Sequence, residues 1–321
     1  MYRAALTAAM ILLAAPAAAG DLRLGIPLDC TLGESCFIQK FVDRDPGPGV
    51  RDWQCGSLTT DGHKGIDFTV PTLADMARGV SVLAAAPGVV IRTRTGVTDQ
   101  MYSESDAEKI EGRDCGNGVM IQHEDGWKTQ YCHLGKGSIR VRKGDTVDQG
   151  DTLGFVGLSG KTQFPHVHLT VYHDDIVVDP FSVAENPDCE NTAEGMWLDR
   201  FDYVPGALVF AGFSPAAPVF EAVEAGVAVQ SEISNSAPAL ILFGFAFGAL
   251  KGDIIHFDIS GPQGWAWSRD TVVDKDRLRL MQYGGKRPPP TGWPRGTYVG
   301  TVIMTRDNIE LGRKMTRTEI R

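Results

Sequence analysis

The residues of this chain best suited to chemistry lie in the stretch Ser159 to Tyr172, SGKTQFPHVHLTVY. His166 and His168 stand two positions apart among the β-formers Val167, Leu169, Thr170, Val171 and Tyr172. In an extended strand alternate side chains share a face, so both imidazoles point to one side of a sheet. Two imidazoles on a rigid strand make half of a metal site. Two upstream stretches offer the rest: Gly62-His63-Lys64-Gly65-Ile66-Asp67 and Tyr131-Cys132-His133-Leu134. A catalytic zinc takes three N or O ligands and keeps a fourth position for water, whose pKa it lowers to about 7. His63, Asp67 and one histidine of the His166/His168 pair would complete a two-histidine, one-carboxylate set for one zinc per chain. The imidazoles left over, His133 and the other strand histidine, could orient the water, take its proton and stabilise developing negative charge. A lone HxxxD spacing carries almost no information. Five residues of suitable type in three separated motifs carry much more, and they point to a mononuclear zinc hydrolase.

Short β-like runs must position these groups. Ile66 to Val70, Val80 to Ala84, Gly88 to Arg94, Gly118 to His123, Trp127 to His133, Ile139 to Arg142, Thr152 to Val156 and Val167 to Tyr172 all read as strands. Glu124-Asp125-Gly126 reads as the hairpin turn between two of them. Helical periodicity is nearly absent, so the expected class is all-β. Between Thr95 and Gly116 lies an acidic insertion with Asp99, Glu104, Asp106, Glu108, Glu111 and Asp114. Long loops in compact domains commonly build functional walls, and a groove wall with a helical turn near Ser105 to Ile110 is one reading; a solvated excursion is the other. Residues 21 to 62 are rich in turn formers, and that segment could cover the groove.

Beyond about residue 200 the pattern changes. Leu208 to Phe213, Val219 to Val229, Ala239 to Phe247, Asp253 to Ser260, Gly264 to Ser268, Arg277 to Tyr283 and Gly296 to Arg306 read as strands separated by turns. That spacing suits a small immunoglobulin-like β-sandwich. The apolar run from Pro238 to Leu250 is too short to cross a bilayer and reads as a buried strand. The domain plan is therefore a signal peptide over 1–19, a turn-rich segment over 20–62, a zinc hydrolase unit over 63–195 and an accessory sandwich over 205–321.

Composition narrows the setting. The 321 residues are 43% hydrophobic and 22% charged, with a formal net charge of −9. An acidic chain is a poor partner for nucleic acid or for an anionic membrane surface. Residues 1 to 19, with Arg3, an apolar middle and Ala17-Ala18-Ala19 before Gly20, fit a cleaved secretory leader, after which no transmembrane span is expected. The six cysteines (Cys30, Cys36, Cys55, Cys115, Cys132 and Cys189) all precede residue 190 and include no CxxC pair. In an exported protein they read as disulfides rather than thiolate ligands, and a Cys30–Cys36 bridge is the one pairing suggested. A disulfide is also the better reading of Cys132 than a nucleophile paired with His133. His123, His173 and His256 read as structural or surface residues.

Together the three motifs resemble the lysostaphin-type (LytM-like) zinc endopeptidases of bacterial cell walls, over roughly His63 to Tyr172. The resemblance rests on GHKGIDF, GNGVMIQHEDGWKTQYCHL and VRKGDTVDQGDTLGFVGLSGKTQFPHVHL. It implies His63, Asp67 and His168 as zinc ligands and His133 with His166 as the catalytic pair. It also implies a β-sheet groove with the metal at its floor, and peptide bonds of peptidoglycan as substrate. Thr162-Gln163-Phe164 stands where the family usually has a run of small residues, and Gly135 where it has Ser or Thr. The first changes the groove rim; neither removes a ligand, so both bear on substrate preference rather than on zinc chemistry.

Three other readings compete. The doubled turns Lys143-Gly144-Asp145-Thr146 and Gly150-Asp151-Thr152 occur in biotinyl and lipoyl carriers, but the modified lysine at a hairpin tip is missing. A non-enzymatic amidase regulator of the same fold should lack one or more of the five residues, and this chain keeps them all. A wall-binding protein acting through its sandwich would show no chemistry in residues 20–200 alone.

Overall fold

The computed structural model describes residues 22–182 and 195–321. The expected leader and Cys189 lie outside the described residues. The first sheet is built from β1 (Phe37–Lys40), β2 (Ile66–Thr69), β4 (Gly88–Arg94), β5 (Asn117–Gln122), β6 (Trp127–Leu134), β7 (Thr146–Val147), β9 (His166–His173) and β10 (Ile176–Val178). Its order is β1-β2-β9-β6-β5-β4-β7, with β10 on β9. A small second sheet pairs β3 (Ser81–Leu83) with β8 (Thr152–Phe155), and two short helices, α1 (Leu73–Ala77) and α2 (Ala107–Ile110), lie between strands. The class is mostly β, as the sequence indicates.

Period-two alternation explains the sheet. Along β9, Val167, Leu169 and Val171 are buried on the core face, and along β2 Ile66 and Phe68 join them. The opposite face carries Asp67, His166, His168 and Thr170. Antiparallel register sets Asp67 beside His168 and Thr69 beside His166, with Cys132 of β6 on the other side of His168. β1 comes from the turn-rich segment. It pairs Lys40 with Asp67, so at this edge the segment forms part of the sheet.

From Ala207 onward the chain forms two further sheets. One is β11 (Ala207–Ser214), β13 (Leu240–Ala249) and β16 (Arg277–Lys286). The other runs β12-β18-β17-β14-β15, from Glu232–Ile233, Ile309–Ile320, Gly296–Arg306, Ile254–Ser260 and Ala266–Val272. They enclose a core containing Phe213, Leu242, Phe257, Tyr298 and Val302. β13 is covered on both faces. Leu240 and Leu242 enter this sandwich core, while Phe243, Phe245 and Phe247 join the core beneath the first sheet. A strand buried on both faces reads as an unbroken apolar run, which accounts for LILFGFAFGA. The Phe37 and Phe247 rings meet at 5.9 Å, so one apolar layer is continuous between the two halves.

Three sequence expectations are corrected here. Val219 to Val229 is not a strand: Phe220–Glu224 forms the short helix α3, with Val223 buried and Gly226 turning left-handed (φ 77°) just after the last turn. A left-handed glycine past the C-terminus is a common helix stop. Ile139 to Arg142 has no strand pairing. The long strand β18 was not anticipated, although the turn before it, Asp307-Asn308 with φ of 50° and 66°, is the kind of residue pair a tight hairpin needs.

Two disulfides join described cysteines. Cys30–Cys36 closes the loop before β1, and Cys115–Cys132 ties the end of the acidic insertion to β6. Cys55 is also disulfide-bonded, and no described cysteine is free.

Candidate metal centre

The groove face of β2, β9 and β6 carries the cluster. His63 Nδ1 lies 2.7 Å from the Phe41 carbonyl oxygen, and its Nε2 lies 3.1 Å from Asp67 Oδ1. A carbonyl can only accept, so Nδ1 bears the hydrogen and Nε2 faces the carboxylate. His166 repeats the pattern: Nδ1 donates to the Phe164 carbonyl at 2.9 Å, and Nε2 sits 3.3 Å from the same Asp67 oxygen. His168 Nδ1 approaches that oxygen at 2.8 Å, with Thr170 Oγ1 3.0 Å from its Nε2. Three imidazole nitrogens therefore converge on one buried carboxylate oxygen. With two of the rings fixed at Nδ1, lone pairs would face lone pairs unless protons or a cation lie between them. A divalent ion resolves that conflict, and one donor atom each from His63, Asp67 and His168 lies within 4.8 Å of the other two. Nitrogen donors with one carboxylate oxygen suit zinc. The donor set fits a metal ion.

Close backbone approach is part of the fit. A Cβ on Gly65 would lie 2.6 Å from His168 Nε2 and 2.5 Å from the Leu169 carbonyl oxygen, so the GHKGID stretch needs glycine there.

His133 reaches the groove by a different route. Strand parity would put it on the face opposite Cys132, but its φ of 65° breaks the alternation at the end of β6. Such a conformation costs a non-glycine residue about 1–2 kcal/mol. The strain brings its ring within 4.7 Å of His166 and 6.0 Å of His168. Its Nδ1–H donates to the Ser159 carbonyl at 2.8 Å, leaving Nε2 as the free nitrogen. Burial, together with the repulsion that a proton on His133 would meet from the neighbouring His166 and His168 rings, holds its pKa well below the ordinary histidine value. Burial likewise lowers that of His168, against the pull of Asp67. Desolvation opposes charge on Asp67, yet the surrounding imidazoles outweigh it and keep the carboxylate well below its usual range. Burial also works against charge on His63, but Asp67 and the Phe41 carbonyl carry its pKa upward overall.

All five sequence-selected residues thus meet in one groove of about 710 Å³. Tyr102, Glu104 and Asp114 of the acidic insertion line it, which favours the wall reading of that loop. Lys40 was missed. Its Nζ lies 3.9 Å from Asp67 Oδ2 and 5.7 Å from the Phe164 ring centre, at the groove edge. No alternation marks this strand in the sequence, since Phe37-Ile38-Gln39-Lys40 is two apolar residues followed by two polar ones within a turn-rich stretch. The remaining histidines lie apart: His123 is held by the Pro87 carbonyl and Thr129, His173 stacks on Trp127, and His256 pairs with Asp270 on the sandwich.

A sheet-floored groove with a His/Asp/His donor set and two further imidazoles makes a candidate metal centre. Residues 61–180 match the model of Peptidase family M23. Over 106 residues it is 34% identical to the peptidoglycan DD-endopeptidase ShyA of Vibrio cholerae, covering 33% of this chain and 19% of that protein. Over 123 residues it is 32% identical to the DD-carboxypeptidase/endopeptidase Mpg of Neisseria meningitidis, covering 38% of this chain and 23% of that protein. The chain thus spans about a fifth of the length of these curated relatives. Among solved structures, the catalytic domain of the prophage-encoded M23 protein EnpA from Enterococcus faecalis is 26% identical with a TM-score of 0.30. That match covers 44% of this chain and 85% of the EnpA chain.

Proposed function

We propose that this protein is an exported zinc endopeptidase that hydrolyses peptide cross-links of peptidoglycan. The observation that carries the reading is the convergence of His63, His166 and His168 on one oxygen of Asp67, with His133 beside them. In this reading His63, Asp67 and His168 would hold the metal. A zinc ion held there supplies a polarised water and Lewis-acid assistance to a carbonyl. His133, kept neutral by burial, offers Nε2 as a proton acceptor. His166, its Nδ1–H fixed on the Phe164 carbonyl, presents Nε2 to the same space and steadies negative charge on the substrate oxygen. The groove walls, from the acidic insertion on one side to Lys40 and residues 60–64 on the other, orient an extended peptide. The activities named for the two relatives support peptidoglycan peptide as substrate, and the apolar composition of residues 1–19, which suits a secretory leader, supports export. Among the described residues no helix is long and apolar enough to cross a membrane.

The test pairs metal content with turnover. The purified protein should contain about one zinc per chain, lose it in His168→Ala, and cut cross-linked muropeptides only when loaded. Full turnover by metal-free protein would overturn the reading.

A further inference from the structure

The rim residue Phe164 links the cluster to the C-terminal sandwich. Its ring stacks on His166 with centroids 4.3 Å apart and planes at 24°. Its carbonyl accepts the His166 Nδ1–H, and the same loop contributes Thr162 Oγ1 at 3.1 Å from that nitrogen. Over the Phe164 ring, at 5.3 Å from its centre, lies the guanidinium of Arg279 from β16. That guanidinium also lies 5.6 Å from the Phe220 ring centre and is ion-paired with Glu224 of α3. Both side chains are largely buried, at 19% and 10% exposed, so the cation is held in place rather than sampling solvent. The α3 end is itself anchored: Ala74 N donates to the Ala225 carbonyl, and Gly226 packs against Thr72 and Ala74. A fixed strut therefore runs from the sandwich through Glu224 and Arg279 to the ring that lies on His166.

We propose that Arg279 is a positioning residue for His166, acting through Phe164, and that the sandwich is thereby part of the groove wall. A planar cation over an aromatic face restrains the ring, and restraint matters most when the ring in turn fixes an imidazole. The effect on turnover rests on the peptidase reading; the effect on the His166 ring does not.

The experiment uses the full chain and the double substitution E224Q/R279Q, which removes the cation without stranding a buried carboxylate. The His166 Cε1–Hε1 resonance is followed by NMR, with His123 and His173 as internal references and Phe164→Ala to identify the ring contribution. Hydrolysis of a cross-linked muropeptide is measured in parallel. The expected result is a displaced His166 resonance with the two references in place, kcat lower by about tenfold, and KM unchanged. In a Phe164→Ala background the double substitution should have no further effect on either reading. A folded E224Q/R279Q protein with an unmoved His166 resonance would overturn the proposal, as would a kcat loss that adds in full to that of Phe164→Ala. If the wild-type protein cuts no muropeptide, the peptidase reading falls and the resonance alone decides the coupling.

Discussion

Asp179 offers a quantitative test of the packing behind the groove. The residue is 8% exposed, its Oδ1 accepts from Phe181 N at 3.0 Å, and its Oδ2 is buried with no hydrogen-bond partner among the described residues. Desolvation pushes its pKa up to about 7 from 3.8, against the weaker pull of the Phe181 amide and Arg44. The folded state therefore binds a proton that the unfolded state has already released between these two pH values. Stability from this group falls as pH rises from about 4 and is fully lost above about 7. Three units at 1.36 kcal/mol each set the upper size of the effect at about 4 kcal/mol. Asp179→Asn keeps an acceptor for Phe181 N and removes the charge. Urea denaturation of both proteins at pH 4.5 and pH 8 should show the variant gaining on wild type by about 2–4 kcal/mol between the two conditions. The difference between proteins, not either curve alone, isolates this residue from the other carboxylates. A pH-independent difference, or wild type more stable than the variant at pH 8, would refute the argument.

Two further outcomes follow from the site. Lys40→Met removes the cation beside Asp67 Oδ2; it should leave zinc content unchanged by metal analysis and lower kcat/KM about tenfold on a cross-linked muropeptide, because the charge lies at the groove edge rather than among the donors. Cys115→Ser with Cys132→Ser opens the 17-residue separation that the disulfide closes, and should cost about 3 kcal/mol in urea denaturation.

Much of the site was legible because β-strand geometry is simple. The two-residue spacing of His166 and His168 fixes a shared face in any strand, and Asp67 follows from the same rule once β2 pairs with β9. The apolar run of β13 also reads correctly as buried, although only the structure shows why both faces are apolar: two cores meet across it. Other features depend on tertiary context. His133 lies on the wrong face by parity and reaches the groove through a left-handed residue that no local sequence rule foretells. Lys40 acts across a strand pairing between segments far apart in sequence. Around Val219 to Val229, β-branched residues suggested a strand. Burial of Val223 and the turn at Gly226 instead favour a short helix that carries Glu224 to Arg279. β18 was hidden because Glu310, Arg313, Lys314 and Arg317 make it polar, yet Asp307-Asn308 signalled the hairpin.

The division between residues 63–195 and 205–321 takes on a different aspect once Phe37, Phe243, Phe245 and Phe247 share one cluster. Removing the C-terminal half would take β13 with it, bare the apolar surface around Phe37 that β13 covers, and leave the Phe164 ring without Arg279. The intact chain is therefore the right object for functional work.

The most direct test of the central claim is a digest of purified cross-linked muropeptides by the full chain, read by mass spectrometry, with and without a chelator and alongside His168→Ala. The account predicts conversion of dimers to monomers, abolished by the chelator, restored by zinc, and absent in the variant. Undiminished conversion in the chelated sample, or in His168→Ala, would contradict it.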